Sequence, residues 1–115
     1  MAKPGVIFVG VFAAGELPFP FVHTFNDFNG NPIDLSGFTP AVYIEGPDEA
    51  GNYGTGAINL LAPNSDGMVQ YTWAEDDFQD VGKYEMLLWV DDGTNRLASD
   101  LIKYEVYDGP GPTPT

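Results

Sequence analysis

Fourteen glycines and ten prolines are set between short apolar runs along these 115 residues. No interval between them is both long and periodic enough for a full helix, whereas four-to-eight-residue runs bounded by turn residues are what strands require. The chain therefore reads as all-β. Extended runs are expected at Val6 to Phe12, Leu17 to Phe25, Phe38 to Glu45, Ala57 to Leu61, Met68 to Trp73, Lys83 to Val90 and Leu97 to Tyr107. Pro18 and Pro20 cannot donate to a ladder, so the second run is predicted to be an edge strand or an extended arm. Asn29-Gly30-Asn31 is a hairpin turn signal. Gly46 to Gly56 reads as a long exposed loop, and Glu75-Asp76-Asp77-Phe78 as one acidic helical turn.

Alternation assigns faces to the two clearest strands. Val69, Tyr71 and Trp73 fall on one side of their run and Met68, Gln70 and Thr72 on the other, so the aromatic rings are predicted to point inward. In the most apolar run Tyr84, Met86, Leu88 and Val90 share one face and Leu87 and Trp89 the other, so both faces are expected to be covered. About seven strands in a chain of one-domain length favour two packed sheets. Asp80-Val81-Gly82-Lys83-Tyr84 resembles the Asp-X-Gly-X-Tyr signature of immunoglobulin-like domains, whose tyrosine hydroxyl bonds backbone a few residues upstream. Asp80, Gly82 and Tyr84 are thus expected to form a structural corner, with Met86 where an antibody domain has its second cysteine. The expected fold is an immunoglobulin-like antiparallel β-sandwich of about seven strands: residues 1–19 an extended strand or arm, 20–107 the sandwich, and 108–115 a flexible Pro/Gly/Thr tail.

Seventeen acids against four bases give a formal net charge of −13. So few cations argue against a nucleic-acid backbone as partner, because phosphates would go unneutralised, and against an anionic membrane surface for the same reason. At 43% hydrophobic and 14% aromatic residues the chain is nevertheless expected to fold. It has no cysteine, which removes disulfides, thiolate metal sites and cysteine nucleophiles. The run Val6 to Ala14 is far shorter than the ~20 residues of a membrane span. Between Pro4 and Gly82 no lysine or arginine occurs. Such self-repulsion is tolerable on a solvated surface or against a basic neighbour, so the acids imply a docking partner that is basic or apolar.

Little here suggests catalysis. The single histidine, His23, would need a serine and an acid from elsewhere, and Ser36, Ser65 and Ser99 occupy turn-like contexts without a Gly-X-Ser-X-Gly elbow. Asp27, Asn29, Asn31 and Asp34 place hard oxygen ligands at near-alternate positions and faintly resemble a calcium loop, without its terminal glutamate. Glu75, Asp76, Asp77 and Asp80 form a second acidic group that could meet Asp91 and Asp92 in space. No cofactor is expected. Six of the eight phenylalanines lie within residues 8–28. Phe8, Phe12, Phe19 and Phe21 are the candidates for a partner interface, since such a patch needs covering by the domain or by another protein.

The succession Asn29-Gly30-Asn31-Pro32-Ile33-Asp34-Leu35-Ser36-Gly37, Ala41-Val42-Tyr43-Ile44, Asp66-Gly67-Met68-Val69-Gln70-Tyr71-Thr72-Trp73 and Gly82-Lys83-Tyr84, with a strand ending in Asp-Asp-Gly, resembles a phage domain. It is similar to the immunoglobulin-like N-terminal domain of siphophage upper baseplate proteins and related minor tail and virion proteins, over roughly residues 20–107. The resemblance implies a non-enzymatic virion protein, a tail or baseplate adaptor, present in many copies and docked on other virion proteins. Decoration of the capsid's outer surface is the nearest alternative. From a different class, an extracellular carbohydrate-binding or adhesion module would need Tyr43, Tyr53, Tyr71, Trp73 and Trp89 as a flat exposed aromatic face.

Overall fold

The computed structural model describes residues 5–48 and 51–110. Among these are eight strands: β1 (Val6–Ala13), β2 (Phe21–Thr24), β3 (Thr39–Glu45), β4 (Ala57–Leu60), β5 (Met68–Thr72), β6 (Gly82–Asp91), β7 (Arg96–Ala98) and β8 (Leu101–Tyr107). The helical content is two single 3-10 turns, Asn64–Asp66 and Glu75–Phe78. One sheet runs β1-β8-β6-β3, with β7 beside the far end of β6; the other is β2-β5-β4. The two pack face to face as a sandwich-like β protein.

Two features differ from the sequence reading. The strands number eight rather than about seven, because Arg96–Ala98 and Leu101–Tyr107 are separate: Ser99 and Asp100 interrupt the run as β6 changes neighbours from β8 to β7. Nor is the sandwich wholly antiparallel. β1 lies parallel to β8, Val6 opposite Leu101 and Ala13 opposite Tyr107, with a register shift between Phe8 and Gly10. Parallel pairing joins segments far apart in the chain and so leaves no hairpin signal. The N-terminal segment is thus a sheet strand, not a detached arm. Residues 1–4 and 111–115, ends of the expected arm and tail, lie outside the described residues.

Alternation placed the interior correctly. Val69, Tyr71, Trp73, Tyr84, Met86, Leu88 and Val90 are all buried, joined by Ile102, Tyr104 and Val106 of β8 and by Phe25, Leu35 and Phe78. Aromatic rings dominate the centre. Trp73 meets Tyr71, Phe78 and Tyr104 edge-on at centroid distances of 4.9–5.3 Å, and Tyr84 stacks on Tyr104 at 4.6 Å. Edge-to-face contacts suit the ring quadrupoles and add to the burial of their large apolar area.

A polar seam runs through this core. Asp77, fully buried in the second 3-10 turn, accepts from Tyr71 Oη at 2.5 Å, Gly54 N at 2.8 Å and Ala74 N at 2.9 Å, while Tyr104 Oη donates to its backbone oxygen at 2.8 Å. One carboxylate thereby ties β5 and the 46–56 loop to the turn, and the adjoining carbonyl ties in β8. That loop is anchored a second time: Tyr53 packs edge-on against Tyr84 and donates to Asp80 Oδ2 at 2.6 Å. Residues 49–50 of it lie outside the described residues. The corner residues also meet, since Tyr84 Oη donates to Asp80 O at 2.5 Å. Gly82, at φ +146°, leaves room there for Pro47, whose Cβ would lie 2.6 Å from an added side-chain carbon.

Burial, reinforced by the nearby Asp77, drives the phenols of Tyr71 and Tyr104 above the ordinary tyrosine range. A tyrosine whose folded pKa is raised contributes stability that is intact below its unfolded pKa of about 10 and is lost as pH climbs past it. In an alkaline titration followed at tyrosinate wavelengths, part of the absorbance is therefore expected to appear only with the loss of near-ultraviolet circular dichroism. Complete tyrosinate formation in a still-folded chain would refute the buried placement of these two rings.

Candidate functional site

The outer face of the large sheet is where exposed chemistry collects. Residues alternating with the buried set point away from the small sheet: Val6, Phe8 and Val11 on β1, Leu101, Lys103, Glu105 and Tyr107 on β8, Lys83, Glu85, Leu87, Trp89 and Asp91 on β6, and Ala41, Tyr43 and Glu45 on β3. Register sorts them into rows. Phe8, Lys103, Glu85 and Glu45 cross the sheet in one, Ala98, Trp89 and Ala41 in another, and Arg96, Asp91 and Thr39 in a third. Leu87 and Trp89, the residues expected to be covered on this side of β6, are half-buried, while Phe8 is 56% exposed and Tyr43 65%, so the face is open toward its flanking strands.

Every lysine and arginine among the described residues lies here, each beside an acid. Lys103 Nζ is 3.6 Å from Glu85, Lys83 Nζ 4.0 Å from Glu105, and Arg96 Nε 3.2 Å from Asp91. With Glu45 the face carries three cations and four acids, a net charge of −1, while twelve described acids and no described lysine or arginine lie elsewhere. Exposed pairs of this kind contribute little stability, about 0–1 kcal/mol. Their consequence is the nearly neutral field they leave over one apolar surface.

Two shallow hollows flank the middle of this face. One, of about 420 Å³, is lined by Thr39, Ala41, Tyr43, Trp89, Asp91 and Arg96. The other, about 390 Å³, includes Phe8, Glu45, Lys83, Glu85, Lys103 and Glu105.

The four candidate interface phenylalanines separate. Phe8 stands on the outer face and Phe19 is 93% exposed in the link between β1 and β2. Phe12 turns inward, 5.0 Å from Phe78, because the register shift between Phe8 and Gly10 reverses the phase of β1's alternation; Phe21 packs toward Trp73 at 6.5 Å. Of the aromatic platform, Tyr71 and Trp73 are buried and Tyr53 is held by Asp80, which leaves Tyr43 and Trp89 on a common surface.

The candidate calcium residues occupy two separate local turns. Asp27 Oδ1 accepts from the amides of Asn29 and Asn31, and Asp34 Oδ1 from the amide and hydroxyl of Ser36, which holds the Asp34 carboxyl below its usual range. The second acidic group does not meet Asp91 and Asp92: Gly82 and Asp91 are opposite ends of β6, about 30 Å apart at ~3.3 Å per residue. Among the described residues no three acid or histidine side chains gather as metal ligands would. His23 sits edge-on to Phe25 at 4.8 Å, its pKa lowered by burial against an opposing pull from Asp100. Ser99 is committed to the backbone, accepting from Leu88 N and donating to Asp100 O.

The charged rows were partly readable in advance. Lys83 and Glu85 alternate with buried Tyr84 and Met86, as Lys103 and Glu105 do with Ile102 and Tyr104, so their common outward direction follows from the sequence. The register that makes them neighbours does not. No protein-family model matches the chain, and no curated protein matches it.

Proposed function

We propose that this chain is a non-enzymatic structural protein of a phage particle, an immunoglobulin-like tail or baseplate adaptor that docks on neighbouring virion proteins. The observation that carries a docking role is the division of its surface. One open sheet face bears Val6, Phe8, Val11, Tyr43 and Tyr107 together with all the described lysines and arginines, while most of the described acids lie elsewhere. An exposed patch of this kind on a small domain marks a protein contact, and the acidic remainder suits basic neighbours. The phage assignment rests on the resemblance of residues 20–107 to the baseplate domain. The carbohydrate-binding alternative retains two rings of the five it needs, Tyr43 and Trp89 beside Arg96 and Asp91.

Gold-labelled antibody raised against the chain tests the assignment on purified particles from the source of this sequence. Label at the tail or baseplate is expected. Label over the shell would move the role to capsid decoration, and particles without label would overturn the virion reading.

A further inference from the structure

We infer that two copies of this chain pack against each other through the outer faces of their large sheets. The inference rests on the multi-copy building-block reading for its place in a particle, but the contact is a property of the chain alone.

Charge selects the occupant. Two molecules of net charge −13 repel unless they meet where the field is weak, and this face, at net −1, is that place. A two-fold contact also needs a patch complementary to itself. Cations and acids interleave here, Lys83 with Glu105, Lys103 with Glu85 and Arg96 with Asp91, so each copy offers both signs to the other. A strongly basic partner would instead be drawn to the acidic surfaces elsewhere.

Shape and area agree with this choice. Strands β1, β8, β6 and β3, of eight, seven, ten and seven residues, spaced ~4.8 Å apart at ~3.3 Å per residue, give roughly 500 Å² in plan before side-chain relief is counted. Side-chain relief enlarges that toward the ~800 Å² each partner contributes to a standard interface. Phe8, Tyr43 and Trp89 supply the rings that such contacts favour. Sheets stack face to face about 10 Å apart, so a second sheet on this side would repeat the packing of the interior.

Sedimentation velocity over a micromolar-to-millimolar series, at about 20 mM and about 500 mM salt, tests it. A monomer–dimer equilibrium is expected, and it should strengthen with salt, because repulsion between the acidic remainders is screened while the apolar contact persists. Phe8→Glu with Tyr43→Glu should raise the dissociation constant at least about tenfold. Lys103→Glu, a surface change that leaves the sheet's apolar packing untouched, should do the same, with melting temperatures confirming the fold. Phe28→Ser, fully exposed in the 26–32 turn, should change nothing. A chain monomeric throughout at both salts overturns the inference, as does association weakened by Phe28→Ser but not by Lys103→Glu. A monomer that still labels particles would remove the self-contact and leave the virion reading standing.

Discussion

A chain shortened to begin at Leu17 is expected to lose cooperative folding. The shortening removes β1, whose residues other than Val9 pair with β8, and takes Ile7, Val9 and Phe12 from against the core. Loss of a buried phenylalanine side chain alone typically costs about 3–5 kcal/mol, and here β8 would also become a bare edge above Tyr104. A domain of this size has about 5–15 kcal/mol in all. Thermal unfolding followed by circular dichroism should show no sigmoidal transition. If the shortened chain melts sharply within a few degrees of the full one, β1 is an arm and the account of the large sheet fails.

Asp77→Ala is expected to be the most damaging single substitution. It leaves Gly54 N, Ala74 N and Tyr71 Oη without their carboxylate acceptor, in surroundings where water replaces it poorly. An unsatisfied buried donor costs about 1–3 kcal/mol; Tyr71 Oη is fully enclosed, while the Gly54 N and Ala74 N bonds are only partly buried and lose less. A total loss of roughly 3–6 kcal/mol is expected, read from the midpoint of urea unfolding. Asp77→Asn keeps the volume and one acceptor oxygen and should recover part of it. Equal midpoints for wild type and Asp77→Ala would mean that the seam through Tyr71, Gly54 and Ala74 does not hold the loop.

Strand positions and buried faces follow from local alternation and turn chemistry, which is why Val69, Tyr71 and Trp73, and Tyr84, Met86, Leu88 and Val90, are inside as expected. Asp77 was hidden in an acidic run because nothing local distinguishes a carboxylate that three donors will surround from its solvated neighbours Glu75 and Asp76. The parallel partnership of β1 with β8 is equally silent, since it joins the two ends of the domain. The docking face is intermediate: each strand's outward residues could be listed from period two, while cross-strand register decides that cations and acids interleave.

Oxidative footprinting of the chain, dilute and concentrated, reads side chains individually and so locates the contact. Phe8, Tyr43, Trp89 and Tyr107 are expected to lose reactivity as the chain associates, while Phe19 and Phe28, exposed off this face, keep theirs. Protection of Phe19 and Phe28 with the outer sheet still reactive would contradict it.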